Sequence, residues 1–271
     1  MNYRHGYHAG NFADVVKHVA LVAILLHLRK KDTAFAVVDS HAGRGAYDLA
    51  GTEAGKTGEA AGGIGRLADL SGEIPEALAA YLALVREGEA NAYPGSPLIT
   101  AKLLRPQDRL TAIEKHPQEF AALKDLLAPY RNTTAELADG YARTVKLLPP
   151  PSRRGLVLID PPFEAPDEFS TLAQAVRDAY RKFATGVYLI WYPIKSQAET
   201  DAFLGEVMAA GIAKALTIDI QVNAPEGKLA KAGLLAINPP YGFEAAMRAA
   251  ATVIAPRLEA VIHTQWLAGE E

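Results

Sequence analysis

No other segment limits the fold as strongly as residues 155–163, which read Gly-Leu-Val-Leu-Ile-Asp-Pro-Pro-Phe. An apolar run of this kind is typical of a strand buried on both faces of a parallel sheet, and the prolines end the strand because they carry no N–H. The sequence therefore predicts a carboxylate, rigid carbonyl groups and an aromatic ring at the carboxyl edge of an α/β sheet, where such sheets bind ligands. An amino group on a planar base suits this edge, because the carboxylate and a carbonyl can each accept one N–H while the ring stacks on the base.

The composition excludes several kinds of chemistry. The chain of 271 residues has no cysteine, so disulfides, thiolate nucleophiles and cysteine-bound zinc are excluded. We expect no metal site, because His5 and His8 have no third ligand near them in sequence. The formal net charge of −3 means that any contact with nucleic acid must come from a local basic face. The N-terminus is polar and no apolar run reaches membrane length, so we expect a cytoplasmic protein that does not cross a membrane.

A second predicted strand with an acid at its end lies near the N-terminus. Residues 35–39 read Phe-Ala-Val-Val-Asp and lead into Ser-His-Ala-Gly-Arg-Gly at 40–45. A strand that feeds a glycine-containing turn is the nucleotide-binding arrangement of Rossmann-type sheets, because glycine lets the backbone approach a ligand closely. The turn has G-x-G rather than the full G-x-G-x-x-G, and this shorter form fits S-adenosylmethionine, a ligand without phosphate, better than a dinucleotide.

The next two strands of the main sheet are predicted at 110–114 and 133–137. Glu114 ends the first of them, where an acid commonly binds ribose hydroxyls in such sheets. Asp139 follows the second and precedes Gly140. It could accept the amino group of a cofactor adenine, although an Asp-Gly pair on its own is an ordinary turn.

Residues 46–95 interrupt the alternation of strands and helices. They contain no predicted strand, and residues 75–86 form an amphipathic helix. A structureless loop of this length would be unusual in a compact domain. We therefore predict one domain, residues 1–271, with a helical insertion at 46–95 that either covers the sheet edge or helps to hold a large substrate.

The first twelve residues are rich in tyrosine, histidine and asparagine. Two interpretations stay open, of which the sequence favours the first: a loop packed over the first helix, or a flexible lid that stacks on a base. Asn11 is predicted to cap a helix that runs to about Arg29, with Asp14 in its first turn.

Asn238-Pro239-Pro240-Tyr241 is a second candidate motif, because it resembles the signature of amino-methyltransferases and also follows an apolar strand. The predicted order of the strands in the sheet decides which of the two motifs, at Asp160 or at Asn238, lies at the ligand site. The strand that ends at Asp160 is expected beside the first strand, next to the ligand site. The strand before Asn238 is expected at the outer edge, in a hairpin-like pair of residues 215–222 and 233–237, so the second motif is predicted to be a structural turn.

Six short motifs together resemble one family. They are YRHGYHAGN at 3–11, VKH at 16–18, DSHAG at 39–43, YPGSP at 93–97, IDPPF at 159–163 and WYP at 191–193. The combination resembles the bacterial 23S ribosomal RNA adenine-N6 methyltransferase J family over essentially the whole chain. The N-terminal run and Tyr-Pro-Gly-Ser-Pro are specific to it, whereas Asp-Pro-Pro-aromatic is shared by many amino-methyltransferases.

The resemblance implies a class I S-adenosylmethionine-dependent methyltransferase fold, which is an α/β, Rossmann-like sheet with a small inserted helical subdomain. It implies transfer of a methyl group from S-adenosylmethionine to N6 of a specific adenine in 23S ribosomal RNA, and we expect a monomer without metal. The residues implied to bind the cofactor are His18, His41, Ser96, Glu114, Asp139 and Gly140. The residues implied to act in catalysis are Asp160, Pro161, Pro162 and Phe163, and those implied to contact the RNA are Tyr3 and Arg4.

The expected mechanism follows from the chemistry of this motif. The substrate adenine swings out of its stack and lies on Phe163, while Asp160 and the Pro161 carbonyl accept its amino hydrogens. Phe163 stands where relatives often have tyrosine, and its ring still allows stacking. Three alternatives stay open: a DNA adenine-N6 methyltransferase with the same motif, a protein-glutamine methyltransferase that uses Asn238, and a non-catalytic RNA-binding module.

Overall fold

The computed structural model describes residues 5–51, 57–88, 91–225 and 227–270, which form a sheet of eight strands with helices on both faces and a separate sheet of two short strands. The strands in chain order are β1 (Ala36–Asp39), β2 (Ala46–Asp48), β3 (Ala92–Pro94), β4 (Arg109–Glu114), β5 (Thr133–Leu137), β6 (Gly155–Ile159), β7 (Val187–Pro193), β8 (Ala215–Val222), β9 (Lys231–Ile237) and β10 (Ala260–Ala268).

Most of these strands are separated along the chain by helices. The helices of the described residues are α1 (Phe12–Arg29), α2 (Glu59–Gly62), α3 (Glu76–Arg86), α4 (Ser96–Leu103), α5 (Pro117–Leu127), α6 (Gly140–Leu147), α7 (Glu168–Lys182), α8 (Gln197–Met208) and α9 (Phe243–Leu258), with short 3₁₀ turns at His5–Tyr7 and Ile64–Leu67. Within the described part of the chain, no helix has the length and apolar character needed to cross a membrane.

The large sheet has the order β10-β8-β9-β7-β6-β1-β4-β5. The five strands from β7 to β5 are parallel, and β6 and β4 pair with β1 on its two sides. The strand that leads to Asp160 therefore lies directly beside the first strand, as strand order predicted. The carboxyl ends of β1, β4, β5 and β6 meet at one edge of the sheet.

Strand β6 is buried on both faces, as its apolar sequence predicted. Leu156 and Leu158 belong to the core that includes α1, α3, α4 and α9, whereas Val157 and Ile159 belong to the core that includes α7 and α8. Successive side chains of a strand point to opposite faces, so a strand between two helical layers needs apolar residues at every position.

Helix α1 begins where the sequence predicted. The Asn11 side chain accepts the backbone N–H of Asp14 at 2.9 Å and so caps the helix. Most of α1 is buried, including the polar side chains of Asp14, Lys17 and His18. Buried charges of this kind need partners, and these three residues lie near the carboxyl edge of the sheet rather than in the apolar core.

The expectation that residues 46–95 contain no strand is wrong. Strands β2 and β3 pair antiparallel, with Ala46 opposite Pro94 and Asp48 opposite Ala92. Each has only three residues, which is too short to give a recognisable alternation of apolar and polar side chains. The two strands lie where this segment leaves and rejoins the main sheet, and the helices α2 and α3 lie between them.

The expected position of the last strands also needs correction. β8 and β9 do pair antiparallel, but β10 pairs with the other side of β8 and forms the sheet edge. β9 lies inside the sheet, between β7 and β8 and antiparallel to both. The strand before Asn238 is therefore not at the outer edge, and it points in the direction opposite to β6.

Candidate active site

A cavity of about 310 Å³ opens where β1, β4, β5 and β6 end, and we call it the strand-end cavity. The structure brings together there all six residues that the resemblance implied for cofactor binding, along with Lys17 and Asp160 from the neighbouring wall. The six residues are His18, His41, Ser96, Glu114, Asp139 and Gly140. They come from separate segments of the chain, so the fold and not local sequence assembles the set.

Glu114 ends β4 and holds the glycine turn that follows β1. Its two carboxylate oxygens accept the backbone N–H groups of Gly43 at 2.9 Å and His116 at 2.6 Å. Burial raises the pKa of the Glu114 carboxyl, although these backbone donors partly offset the effect. Gly43 has a φ of +60°, and a Cβ there would lie 2.2 Å from the Tyr47 hydroxyl, so this turn requires glycine.

Asp139 and Gly140 begin α6 beside the same turn. The Asp139 carboxylate accepts the N–H of Ala142 at 3.1 Å and lies 3.0 Å from the Lys115 ammonium group. Burial acts to raise the pKa of Asp139, but these two contacts outweigh it and hold the pKa below its ordinary value. A Cβ on Gly140 would lie 2.1 Å from the Ser40 carbonyl oxygen, so the helix start packs directly on the turn.

His41 is fixed between the turn after β1 and α6. Its Nδ1 lies 2.7 Å from the Ser40 hydroxyl, and its ring meets that of Tyr141 edge-on at 4.8 Å between centroids. Part of the side chain is open to the cavity, but the ring is surrounded by protein, and this desolvation lowers the pKa of His41 to about 4. The ring is therefore neutral near pH 7 and does not repel a cationic ligand.

Asp39 and Ser96 form a buried pair at the end of β1. The Ser96 hydroxyl donates to Asp39 Oδ2 at 2.6 Å, while Oδ1 is buried and has no hydrogen-bond partner in the described part of the chain. Burial raises the pKa of Asp39 to about 7. The Ser96 hydrogen bond lowers this pKa and the nearby Asp160 charge raises it, but burial has the largest effect. The sequence predicted an acid here but assigned it no role, since its complete burial is a property of the fold.

A second cavity, of about 360 Å³, is walled by Phe163 and Trp191, and we call it the aromatic cavity. The two rings meet edge-on with centroids 5.7 Å apart. Phe163 has a φ of +49°, a left-handed conformation that bulky residues rarely adopt. Strain of this kind often marks functional sites, and here it occurs at the ring that the sequence singled out.

Lys17, Asp160 and Pro162 line both cavities, and we call these three residues the shared wall. Lys17 is paired with Asp160, and its Nζ lies 2.7 Å from Asp14 Oδ1. Burial acts to lower the pKa of Lys17, but the two carboxylates outweigh it and hold the pKa above its ordinary value. Pro161 is buried and lines neither cavity. The sequence placed Lys17 in a motif but assigned it no function, because nothing local signals a partner so distant in the chain.

Tyr3 and Arg4 lie outside the described residues, so their proposed contact with RNA stays a prediction. The chain shortly after them does reach the site, because His8 and Asn11 line the aromatic cavity. His8 Nδ1 lies 3.0 Å from a Glu59 carboxylate oxygen, and the Asn11 side chain donates to the same oxygen at 3.2 Å.

Asp160 follows the carboxyl end of β6, and Asn238 follows the carboxyl end of β9. Because β9 runs antiparallel to β7, these two ends lie on opposite sides of the sheet along the strand direction. The Asn238 side-chain amide donates to the carbonyl oxygens of Ala184 and Gly186, each at 2.8 Å. Its φ of +49° is one that asparagine tolerates better than most residues. The motif forms a turn that lines neither cavity, and strand direction rather than position at the outer edge separates it from Asp160.

The parallel strands in the order β7-β6-β1-β4-β5, with β9 antiparallel beside β7 and a cavity at the carboxyl ends of the parallel strands, form a class I S-adenosylmethionine-dependent methyltransferase fold with a Rossmann-like α/β sheet. The profile of one family, described as "Ribosomal RNA large subunit methyltransferase D, RlmJ", matches residues 32–268. The chain belongs to this family, which confirms the resemblance seen in its motifs.

Similar proteins cover nearly the whole chain. The Haemophilus influenzae protein named Ribosomal RNA large subunit methyltransferase J is 39% identical over 255 residues, which is 92% of this chain and 90% of that protein. The Escherichia coli K12 protein of the same name is 38% identical over 253 residues, which is 91% and 90% of the two chains. A crystal structure of a Legionella pneumophila protein is similar with a TM-score of 0.87 and 33% identity, over 97% of this chain and 99% of that one.

Proposed function

We propose that this protein transfers a methyl group from S-adenosylmethionine to N6 of a specific adenine in 23S ribosomal RNA. The observation that carries the proposal is the shared wall. A methyl donor in the strand-end cavity and a flat acceptor in the aromatic cavity would meet at Asp160 and Pro162. The names of the two relatives, which are methyltransferases of the large-subunit ribosomal RNA, favour an RNA acceptor.

S-adenosylmethionine suits the polar groups of the strand-end cavity. We assign Glu114 to its ribose hydroxyls and Asp139 to its adenine amino group, because each carboxylate lies in the cavity at the end of a parallel strand. Gly140 lines the same cavity, and because it has no side chain, α6 can pack directly on the turn that carries His41. Neutral His41 accommodates the positive sulfonium without repulsion. The remaining residues assigned to this ligand are His18 and Ser96.

The aromatic cavity suits the acceptor base. Adenine is planar, and one of its faces can stack on Phe163, while Trp191, which meets Phe163 edge-on, bounds the same cavity. Its amino group carries two hydrogens. We assign one to the Asp160 carboxylate and the other to the backbone carbonyl of Pro161, which lies between Asp160 and Pro162 of the shared wall although its own side chain is buried. Pro162 and Phe163 keep this turn rigid and place the ring beside the base. The base must leave its stack in the RNA to enter the cavity.

The residues of the shared wall supply positioning and a proton acceptor. When bound, S-adenosylmethionine supplies a methyl group that is already activated for transfer. Asp160 and the Pro161 carbonyl orient the amino nitrogen so that its lone pair faces the methyl donor. When the nitrogen takes the methyl group it loses one proton, which passes to Asp160 or to a water beside it. Lys17, anchored by Asp14, holds the Asp160 carboxylate in place.

The RNA backbone is proposed to approach the mouth of the aromatic cavity. Lys195 and Lys228 line this cavity with exposed side chains, and they are a local source of positive charge in a chain whose net charge is −3. Tyr3 and Arg4 are proposed to add contacts. Because few cations take part, the affinity for RNA should fall only modestly with salt.

We also propose that residues 46–95 act as a helical subdomain inserted into one domain, residues 1–271, in a cytoplasmic monomer. The pairing of β2 with β3 supports this division, because it joins the beginning and the end of the segment. Helix α3 packs on α1, so the insertion is attached to the helix that carries Lys17 and His18.

The proposal is tested by methyl transfer from labelled S-adenosylmethionine to protein-free 23S RNA from a strain that lacks this protein, followed by nucleoside analysis. We expect labelled N6-methyladenosine in 23S RNA, and no label in 16S RNA from the same strain as a matched control. Label in duplex DNA or in protein under the same conditions, but none in RNA, would overturn the assigned acceptor.

A further inference from the structure

A chain of three buried rings links the helical insertion to the strand-end cavity. The Tyr93 hydroxyl lies 2.8 Å from His18 Nδ1 and 2.9 Å from the Tyr81 hydroxyl. Tyr81 is on α3 and Tyr93 on β3, whereas His18 is on α1 and lines the cavity. The two tyrosines are fully buried and His18 is 1% exposed, so bulk water does not compete for these hydrogen bonds.

The two hydrogen bonds that join these rings can be oriented in two ways. If Tyr81 donates to Tyr93 and Tyr93 donates to His18 Nδ1, each hydroxyl proton has an acceptor. In the reverse direction the Tyr81 proton has none, because Tyr93 is the one hydrogen-bond partner found for Tyr81 among the described residues. Burial raises the pKa of both tyrosines, so both keep their protons. Buried donors without acceptors are rare, which favours the first direction.

We propose that Tyr81 and Tyr93 hold the proton of His18 on Nε2, so that this ring offers the methyl donor an N–H group rather than a lone pair. A neutral imidazole has one donor and one acceptor nitrogen, so a ring that accepts at Nδ1 must carry its proton on Nε2. The opposite tautomer would have its lone pair on Nε2. The identity of the methyl donor rests on the proposed function, whereas the tautomer does not.

Two features that the proposed chemistry leaves unused gain a role through His18. Tyr93 begins the Tyr-Pro-Gly-Ser-Pro motif, whose Ser96 was the only member with an assigned contact. Tyr81 connects the insertion to the cavity although it lines neither cavity itself. Both tyrosines are positioning residues, since they act on the ligand through His18.

The tautomer is measured first, in the ligand-free protein labelled with ¹⁵N-histidine, by two-bond ¹H–¹⁵N correlation spectra. The signals of His18 are assigned among the seven histidines by comparison with His18→Gln. We expect the Nε2–H tautomer in the wild type and a mixture of tautomers in Tyr93→Phe. The Nδ1–H tautomer in the wild type would overturn the proposal, whether or not the protein methylates RNA.

The consequence for binding is measured by calorimetry with S-adenosylhomocysteine. We expect Tyr93→Phe to weaken binding about tenfold, the effect of one well-placed hydrogen bond, and Tyr81→Phe to weaken it less. The matched control is Tyr188→Phe, because the fully buried Tyr188 hydroxyl donates to the Phe183 carbonyl at 2.9 Å and lies outside both cavities. Tyr188→Phe should leave affinity unchanged.

The two measurements separate the inference from the proposed function. A wild type with the Nε2–H tautomer that does not bind S-adenosylhomocysteine would support the tyrosine chain and overturn the assigned cofactor. Affinity and tautomer that are both unchanged in Tyr93→Phe would overturn the tyrosine chain and leave the cofactor assignment intact. Should Tyr93→Phe fold poorly, Tyr81→Phe gives the same test without touching the residue that contacts His18.

Discussion

Replacing Asp39 by asparagine should stabilise the protein relative to wild type at neutral pH and much less at pH 4. Asp39 is completely buried, its Oδ2 accepts the Ser96 hydroxyl, and its Oδ1 has no partner in the described part of the chain. Asparagine has nearly the same shape, and its side-chain oxygen can still accept from Ser96. The substitution therefore removes the charge with little change in packing.

The magnitude follows from the pKa of Asp39, which burial raises from 3.8 to about 7. Below pH 4 both the folded and the unfolded protein hold this proton, so the group does not affect stability. Between pH 4 and 7 the unfolded chain loses the proton while the folded protein keeps it, so the wild type loses stability as pH rises. Each tenfold change in the ionisation constant corresponds to about 1.4 kcal/mol, which gives a loss of about 4 kcal/mol by pH 7.

The assay is urea unfolding of Asp39→Asn and wild type between pH 4 and 7.5, followed by circular dichroism. The difference in unfolding free energy should grow with pH by up to about 4 kcal/mol and level off above pH 7. Asp32→Asn, on the exposed loop after α1, makes the same change of charge and serves as the control. A difference for Asp39→Asn that stays constant across this range would refute the reasoning.

Three further substitutions test the buried ion pair, the start of α6 and the competing motif at Asn238. Lys17→Met leaves two carboxylates without their cation and should lower the unfolding free energy by about 3–5 kcal/mol; a loss below about 1 kcal/mol in urea unfolding would contradict a buried ion pair. Gly140→Ala places a Cβ 2.1 Å from a backbone oxygen and should weaken S-adenosylhomocysteine binding in calorimetry, whereas Gly205→Ala, which has open space on α8, should leave it unchanged; equal affinities would contradict the close packing of α6 on the turn. Asn238→Ala should lose about 1–3 kcal/mol of stability by removing two hydrogen bonds but keep methyl transfer to RNA, and an inactive, folded variant would favour the protein-glutamine alternative.

The parallel half of the sheet could be predicted because its signals are local. The apolar run of β6 shows burial on both faces, and Glu114 and Asp160 each follow a strand directly. Once these strands are parallel, their ends must meet at one edge, so the cavity residues can be grouped without coordinates. The resemblance added His18, His41 and Ser96, which local patterns alone did not identify as ligand-binding.

The features that the sequence did not reveal depend on direction and distance. The apolar pattern of a strand does not depend on the direction in which the strand runs in the sheet. Nothing in the residues before Asn238 therefore shows that β9 is antiparallel to β7. The pairing of Lys17 with Asp160, and of Tyr93 with His18, joins residues far apart in the chain. Burial of such polar groups is set by packing, and periodicity carries no information about it.

One comparison decides whether methyl transfer takes place at the shared wall: the turnover of Asp160→Asn with 23S RNA at saturating S-adenosylmethionine, against wild type. The variant keeps the shape of the side chain but removes the proton acceptor and the partner of Lys17. We predict a loss of turnover of about 10²–10⁴-fold, with binding of S-adenosylhomocysteine largely retained. Methylation by Asp160→Asn at the wild-type rate would contradict the assignment of this carboxylate and with it the proposed mechanism.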